Sequence, residues 1–158
     1  MGCGKTTAAE ELAREKGYQR IEMDEEIVKR AGKPITRIFE EDGEDSFRNM
    51  ETGLLLEIGK KERTVVSCGG GTALRTENVD IMRKSGTIIL LTASPEVIYE
   101  RVKASEDRPL LNDNMTLEHI QDLMERRRKA YERAADCVIS TDRKYIRDII
   151  EEILNATK

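Results

Sequence analysis

The chain predicts a three-layer α/β/α domain built on a parallel sheet, and three features of the sequence predict it. Four short apolar or β-branched runs, at residues 18–23, 64–67, 87–92 and 137–141, alternate with helical stretches. Such alternation places parallel strands between two layers of helices. Gly4-Lys5-Thr6 opens the first helix, and Gly69-Gly70-Gly71 follows the second strand directly. In an open parallel sheet ligands bind beyond the C-terminal ends of the strands. That rule puts Asp24 and the glycine run beside the Gly4-Lys5-Thr6 turn.

The elements follow in order. Ala8, Ala9, Leu12 and Ala13 recur at helical spacing after Thr6, and Gly17 ends that helix. Tyr18 to Met23 alternates as a strand and runs into Glu22-Met23-Asp24, after which a helix from Glu25 to Ala31 stops at Gly32 before Pro34. Ile35 to Lys61 is helical and punctuated by Gly43, with Ile38 and Phe39 before it and Phe47, Met50, Leu54, Leu55 and Ile58 after it. Thr64 to Ser67 is a β-branched strand that breaks into Cys68 and the glycines. Thr76 caps a helix to Lys84. Thr87 to Thr92 is a nearly unbroken apolar run suited to the middle of a parallel sheet. Ser94-Pro95-Glu96 supplies an N-cap and a proline at the first helical position, for a helix to about Ala104. Residues 105–115 are polar, hold Arg108-Pro109-Leu110-Leu111, and are read as a lid loop. Thr116 caps a long helix through Ala135, Cys137 to Thr141 is a strand, and Tyr145 to Leu154 turns Ile146, Ile149, Ile150 and Ile153 inward.

Length and composition bound the function. At 158 residues the expectation is one domain, 1–158, with a single core. With no Trp, four Tyr and two Phe, that core must be mostly aliphatic. A net charge of −4 tells against nucleic-acid binding, so anionic substrates would need local clusters of Arg and Lys. Cys3, Cys68 and Cys137 have no metal-ligand spacing and point to free thiols in a reducing compartment. Ile88 to Leu91 is too short to span a membrane, and the N-terminus lacks a signal peptide's apolar region. The expectation is a soluble, cytoplasmic protein without membrane partners.

Gly4-Lys5-Thr6 is the closing half of the phosphate-binding loop G-x-x-x-x-G-K-[ST], whose backbone N–H groups and helix N-terminus wrap phosphate oxygens. Lys5 would reach the β- and γ-phosphates of ATP and the Thr6 hydroxyl would sit on Mg²⁺, while Thr7 continues the helix. Asp24 has two readings: a base that takes the proton of an acceptor hydroxyl, or a cap for the helix starting at Glu25. Glu22, on the same side of the strand, would hold a Mg²⁺-bound water or stand as an exposed carboxylate. The three glycines offer bare N–H groups to a ligand, or else form a flexible turn. Ser67 is a candidate for the Mg²⁺ water shell. Arg48, between Phe47 and Met50, fits a buried ion pair or an anion site. Arg126-Arg127-Arg128 reads as a solvated face, Arg108 as a lid residue over phosphate, and His119 as surface or structural.

In this order and spacing the residues resemble the shikimate kinases, small P-loop kinases of the nucleoside-monophosphate-kinase type. The carriers are Gly2-Cys3-Gly4-Lys5-Thr6-Thr7, Glu22-Met23-Asp24, Ile38 to Glu44 leading to Phe47-Arg48, Gly69-Gly70-Gly71, Arg108-Pro109-Leu110-Leu111, and Arg127 four residues before Tyr131. The resemblance implies ATP and Mg²⁺ as cofactors, shikimate as the small-molecule partner, and a monomer. It implies that Arg48 and Arg127 grip the shikimate carboxylate, and that Asp24 and the Gly70 N–H hold ring hydroxyls, with Asp24 the base. Residues 24–60 become the substrate-binding subdomain, walled by Phe39 and Phe47. Gly2, Cys3, Gly4, Lys5, Thr6 and Thr7 bind the nucleotide phosphates, with Arg108 above them. Arg101 lies toward adenine, as do Arg143 and Lys144. Glu22 stands where the family has Asp, keeping the carboxylate with a longer reach to metal-bound water.

The family's opening strand and the first glycine of its loop precede the counterpart of Met1. The expectation is therefore a sheet without its central strand and, for a chain that starts at Met1, poor stability and weak ATP affinity. Two alternatives stand beside the kinase of shikimate: another small-molecule P-loop kinase such as a gluconate kinase, and a non-catalytic nucleotide-binding module. Phe47-Arg48 and the glycine run tell against the first.

Overall fold

A computed structural model describes residues 3–104 and 116–158. Its elements run α1 (Lys5–Lys16), β1 (Gln19–Glu22), α2 (Met23–Ala31), α3 (Ile35–Asp42), α4 (Glu44–Ile58), β2 (Thr64–Ser67), a 3₁₀ turn (Thr72–Leu74) and α5 (Thr76–Ser85). There follow β3 (Ile89–Thr92), α6 (Pro95–Lys103), α7 (Leu117–Ala134), β4 (Cys137–Ser140) and α8 (Ile146–Ala156). The class is α/β, and both strand pairings among the described residues are parallel: β1 with β2, in the register Glu22 opposite Ser67, and β3 with β4. The lid stretch 105–115, Arg108 within it, and Gly2 lie outside the described residues.

The chain divides into two compact units, Ala9–Thr87 and Met1–Ala8 with Ile88–Lys158. In the first, α2, α3 and α4 enclose Met23, Ile27, Ile38, Phe47, Leu54, Leu55 and Ile58, with Ile21 and Val66 of the strands packed against them. Truncating a side chain such as Leu54 to Ala would cost about 2–5 kcal/mol in lost burial and cavity. In the second, Cys3, Ala93, Ile98, Val102 and Ile120 form the core. The expected caps at Ser94 and Thr116 are present, accepting the N–H of Val97 and of His119. His119 thus takes part through its backbone.

Two local expectations are corrected. The second helix begins at Met23, not Glu25, with Glu22 at the N-cap position and no side-chain cap bond. Asp24 therefore lies within the first turn and does not cap, and strand alternation no longer puts Glu22 and Asp24 on one face. Arg75 rather than Thr76 precedes α5, again without a side-chain cap. Of the run Thr87–Thr92, Ile89–Thr92 forms β3, half-buried, and among the described residues it pairs with β4. No helix among the described residues is long and apolar enough to cross a membrane.

Candidate active site

Around Gly69–Gly71 the structure brings together three elements. Asp24 arrives from the first turn of α2, Arg48 and Glu51 from one face of α4, and Thr72 from the 3₁₀ turn. Gly69 and Gly71 are set by close approach. None of the three has a positive φ, but a Cβ on Gly69 would lie 2.8 Å from Asp24 Oδ1 and 3.1 Å from Glu51 Oε1. On Gly71 it would collide with the Arg48 guanidinium, 2.2 Å from Nη1.

Arg48 donates from Nη1 to Glu51 Oε2 at 2.8 Å and, from Nη2, reaches Glu44 at 3.4 Å. Burial alone would push its pKa down, but the bonds to Glu51 and then Glu44 raise it above the ordinary value, so it stays charged. The Phe47 ring faces the guanidinium carbon at 5.3 Å and meets Phe39 edge to face at 5.0 Å. Both open readings of Arg48 are therefore compatible: it is ion-paired within the protein, and its remaining N–H groups can still take an anion.

Glu51, only 1% exposed, was not legible as a site residue. Its Oε1 accepts the Thr72 hydroxyl at 2.8 Å. Asn78 Nδ2 in turn donates to the Thr72 carbonyl at 3.0 Å, and Thr52 donates to Asn78 Oδ1 at 2.6 Å. The available signal was position: Glu51 follows Met50 and precedes Leu54 and Leu55, a carboxylate on an apolar stripe. Removing one member of a buried ion pair leaves an uncompensated charge worth about 3–5 kcal/mol.

The candidates of the other unit are positioned separately. Gly4 has φ +89°, a left-handed turn that leads directly into α1, so Lys5 and Thr6 stand at a helix N-terminus as a phosphate loop needs. The Cys3 side chain is part of the core. Thr6 and Thr7 are exposed. Arg101 donates to Thr141 Oγ1 at 3.4 Å, tying α6 to the segment before Arg143 and Lys144. Among the three arginines of α7, Arg127 is half-buried and reaches the Tyr131 hydroxyl at 3.5 Å, whereas Arg126 and Arg128 are exposed. Ile120, Met124, Arg127, Tyr131 and Ala134 share one helical stripe, which singles Arg127 out of the run.

Mg²⁺ takes oxygen donors and keeps several waters. Ser67 Oγ is a buried hydroxyl with no hydrogen-bond partner, at the end of β2 opposite Glu22. The Glu22 carboxylate and the Ser67 hydroxyl, paired across β1 and β2, are oxygen donors of the kind that ion and its waters take. No cluster of three His, Cys, Asp or Glu that could hold a metal ion occurs among the described residues.

A family model described as shikimate kinase matches residues 1–158. The chain is 42% identical over 153 residues to the shikimate kinase of Geobacter sulfurreducens, covering 97% of this chain and 84% of that one. It is 40% identical over 154 residues to the shikimate kinase of Persephonella marina, covering 98% and 92%. Among solved structures, shikimate kinase from Acinetobacter baumannii in complex with shikimate is similar at a TM-score of 0.89 and 32% identity, covering 98% of this chain and 87% of that one.

Proposed function

The chain belongs to the shikimate kinase family, and on that premise we propose that it moves the γ-phosphoryl group of ATP onto the 3-hydroxyl of shikimate, giving shikimate 3-phosphate and ADP. The observation that carries the reading is the close junction of Asp24 with Gly69 and of Arg48 with Gly71. It suits a ring that bears one carboxylate and several hydroxyls.

Arg48 and Arg127 hold the carboxylate, whose planar pair of oxygens matches the guanidinium fork. The Gly70 N–H and Asp24 hold ring hydroxyls. Asp24 accepts the proton as the 3-hydroxyl oxygen bonds to the γ-phosphorus and the bond to the bridging oxygen breaks, releasing ADP. Lys5, with Gly2, Cys3, Gly4, Thr6 and Thr7, cradles the phosphates, and Arg108 adds positive charge over them. Arg101, Arg143 and Lys144 lie toward adenine. Mg²⁺ would be held by Thr6 and, through its water shell, by Glu22 and Ser67, and when bound it would neutralise phosphate charge. Residues 24–60 serve as the substrate-binding subdomain of one domain, and 105–115 as its lid. The enzyme works as a cytoplasmic monomer.

The test is ADP release across shikimate, gluconate and nucleoside monophosphates with the 158-residue chain. Turnover of shikimate alone is expected. Turnover of gluconate or a nucleotide in preference to shikimate would overturn the reading.

A further inference from the structure

Thr72 has no part in the chemistry above, yet its hydroxyl closes the set of contacts that fixes Arg48. A carboxylate held by one cation can still swivel about its last side-chain bond. Glu51 is held at both oxygens, Oε2 by Arg48 Nη1 and Oε1 by Thr72 Oγ1, each at 2.8 Å. Thr72 is itself fully buried and is fixed through its backbone, its N–H donating to the Gly69 carbonyl at 3.2 Å and its carbonyl accepting from Asn78. Asn78 is equally buried and is oriented by Thr52, one turn along α4 from Arg48. The turn that follows the glycines therefore reaches back to the helix that carries the arginine.

We propose that Thr72 is a positioning residue for the substrate carboxylate: its hydroxyl sets the plane of Glu51, and Glu51 sets the guanidinium of Arg48. The inference rests on Arg48 binding that carboxylate, as proposed above. A threonine that merely filled space here would be replaceable by valine, which has nearly the same shape and no donor. A hydroxyl that positions is replaceable by serine and not by valine.

Steady-state kinetics in both substrates distinguish the two. Thr72→Val should raise KM for shikimate about 10-fold, the worth of one charge-assisted hydrogen bond, with kcat and KM for ATP within about twofold. Thr72→Ser should stay within about twofold throughout. In an Arg48→Lys background the effect of Thr72→Val should largely disappear, because residues acting through one another are not additive. An unmoved KM for shikimate, an equal defect in Thr72→Ser, or an undiminished effect beside Arg48→Lys would each overturn the proposal. If Thr72→Val melts below the assay temperature, Thr72→Ala takes its place and must show the same split. Absence of shikimate turnover by the unsubstituted enzyme would instead overturn the substrate reading, and this inference with it.

Discussion

Arg48 and Gly71 fit so closely that no side chain can stand between them: a methyl group on Gly71 would fall 2.2 Å from Nη1 and 2.5 Å from Cζ of the arginine. The Gly71 backbone, at φ −97° and ψ −4°, is open to any residue. Gly71→Ala should therefore leave the fold intact and push the Arg48 guanidinium out of its place. The expected result is an increase of about 10- to 100-fold in KM for shikimate, with KM for ATP unchanged, the size of losing one or two charge-assisted hydrogen bonds. Kinetics that show the two constants moving together would count against Arg48 as the carboxylate anchor.

Asp24 sits in the first turn of α2 without capping it. Asp24→Asn keeps its shape and removes the base, so kcat should fall by about 10²- to 10⁴-fold while the melting temperature changes little. A loss smaller than tenfold at saturating substrates would reduce Asp24 to an orienting role.

The unpartnered hydroxyl of Ser67 gives the third prediction. An unsatisfied buried hydroxyl costs the folded state about 1–3 kcal/mol. Ser67→Ala should leave the ligand-free protein as stable or more so, and should raise the Mg²⁺ concentration required for half-maximal turnover. A variant that melts lower and shows an unaltered Mg²⁺ requirement would remove Ser67 from the metal's surroundings.

Stability should carry a pH signature at Glu41. Its hydrogen bonds to Lys33 and then Arg37 hold its pKa below the ordinary glutamate value of 4.5. The folded state thus binds fewer protons than the unfolded one, and the stabilisation is complete above that value and is lost as pH falls through the lowered pKa. The melting temperature of the wild type should exceed that of Glu41→Gln at neutral pH, by a small margin since the pair is exposed. The margin should vanish below the carboxylate range, and a margin that persists there would exclude the ion pair as its source.

Much of the molecule could be read before any coordinates. Gly4-Lys5-Thr6, Gly69–Gly71 and the alternation of strands and helices are local signals, and the α/β class with parallel pairing followed from them. Nothing local marks Thr72 and Asn78, and the one local sign at Glu51, a carboxylate on an apolar stripe, does not by itself show burial. A glutamate on a helix is ordinarily solvated, and Glu51 is buried only because the turn after the glycines packs on α4, 21 residues along the chain. The start of α2 was misplaced because Asp is a preferred cap, whereas here the helix starts at Met23, which is anchored by full burial in the core. Arg127 could be separated from Arg126 and Arg128 only through the phase of its stripe with Ile120 and Tyr131.

The double anchoring of Glu51 also has a consequence in entropy. A free arginine side chain gives up as much as about 2 kcal/mol of rotamer freedom when it is immobilised. Arg48 is immobilised already, between Glu51, Gly71 and the Phe47 ring. That loss belongs to folding rather than to binding, so an arriving carboxylate meets an arm already at rest. Loosening the anchor would transfer the same loss to every binding event.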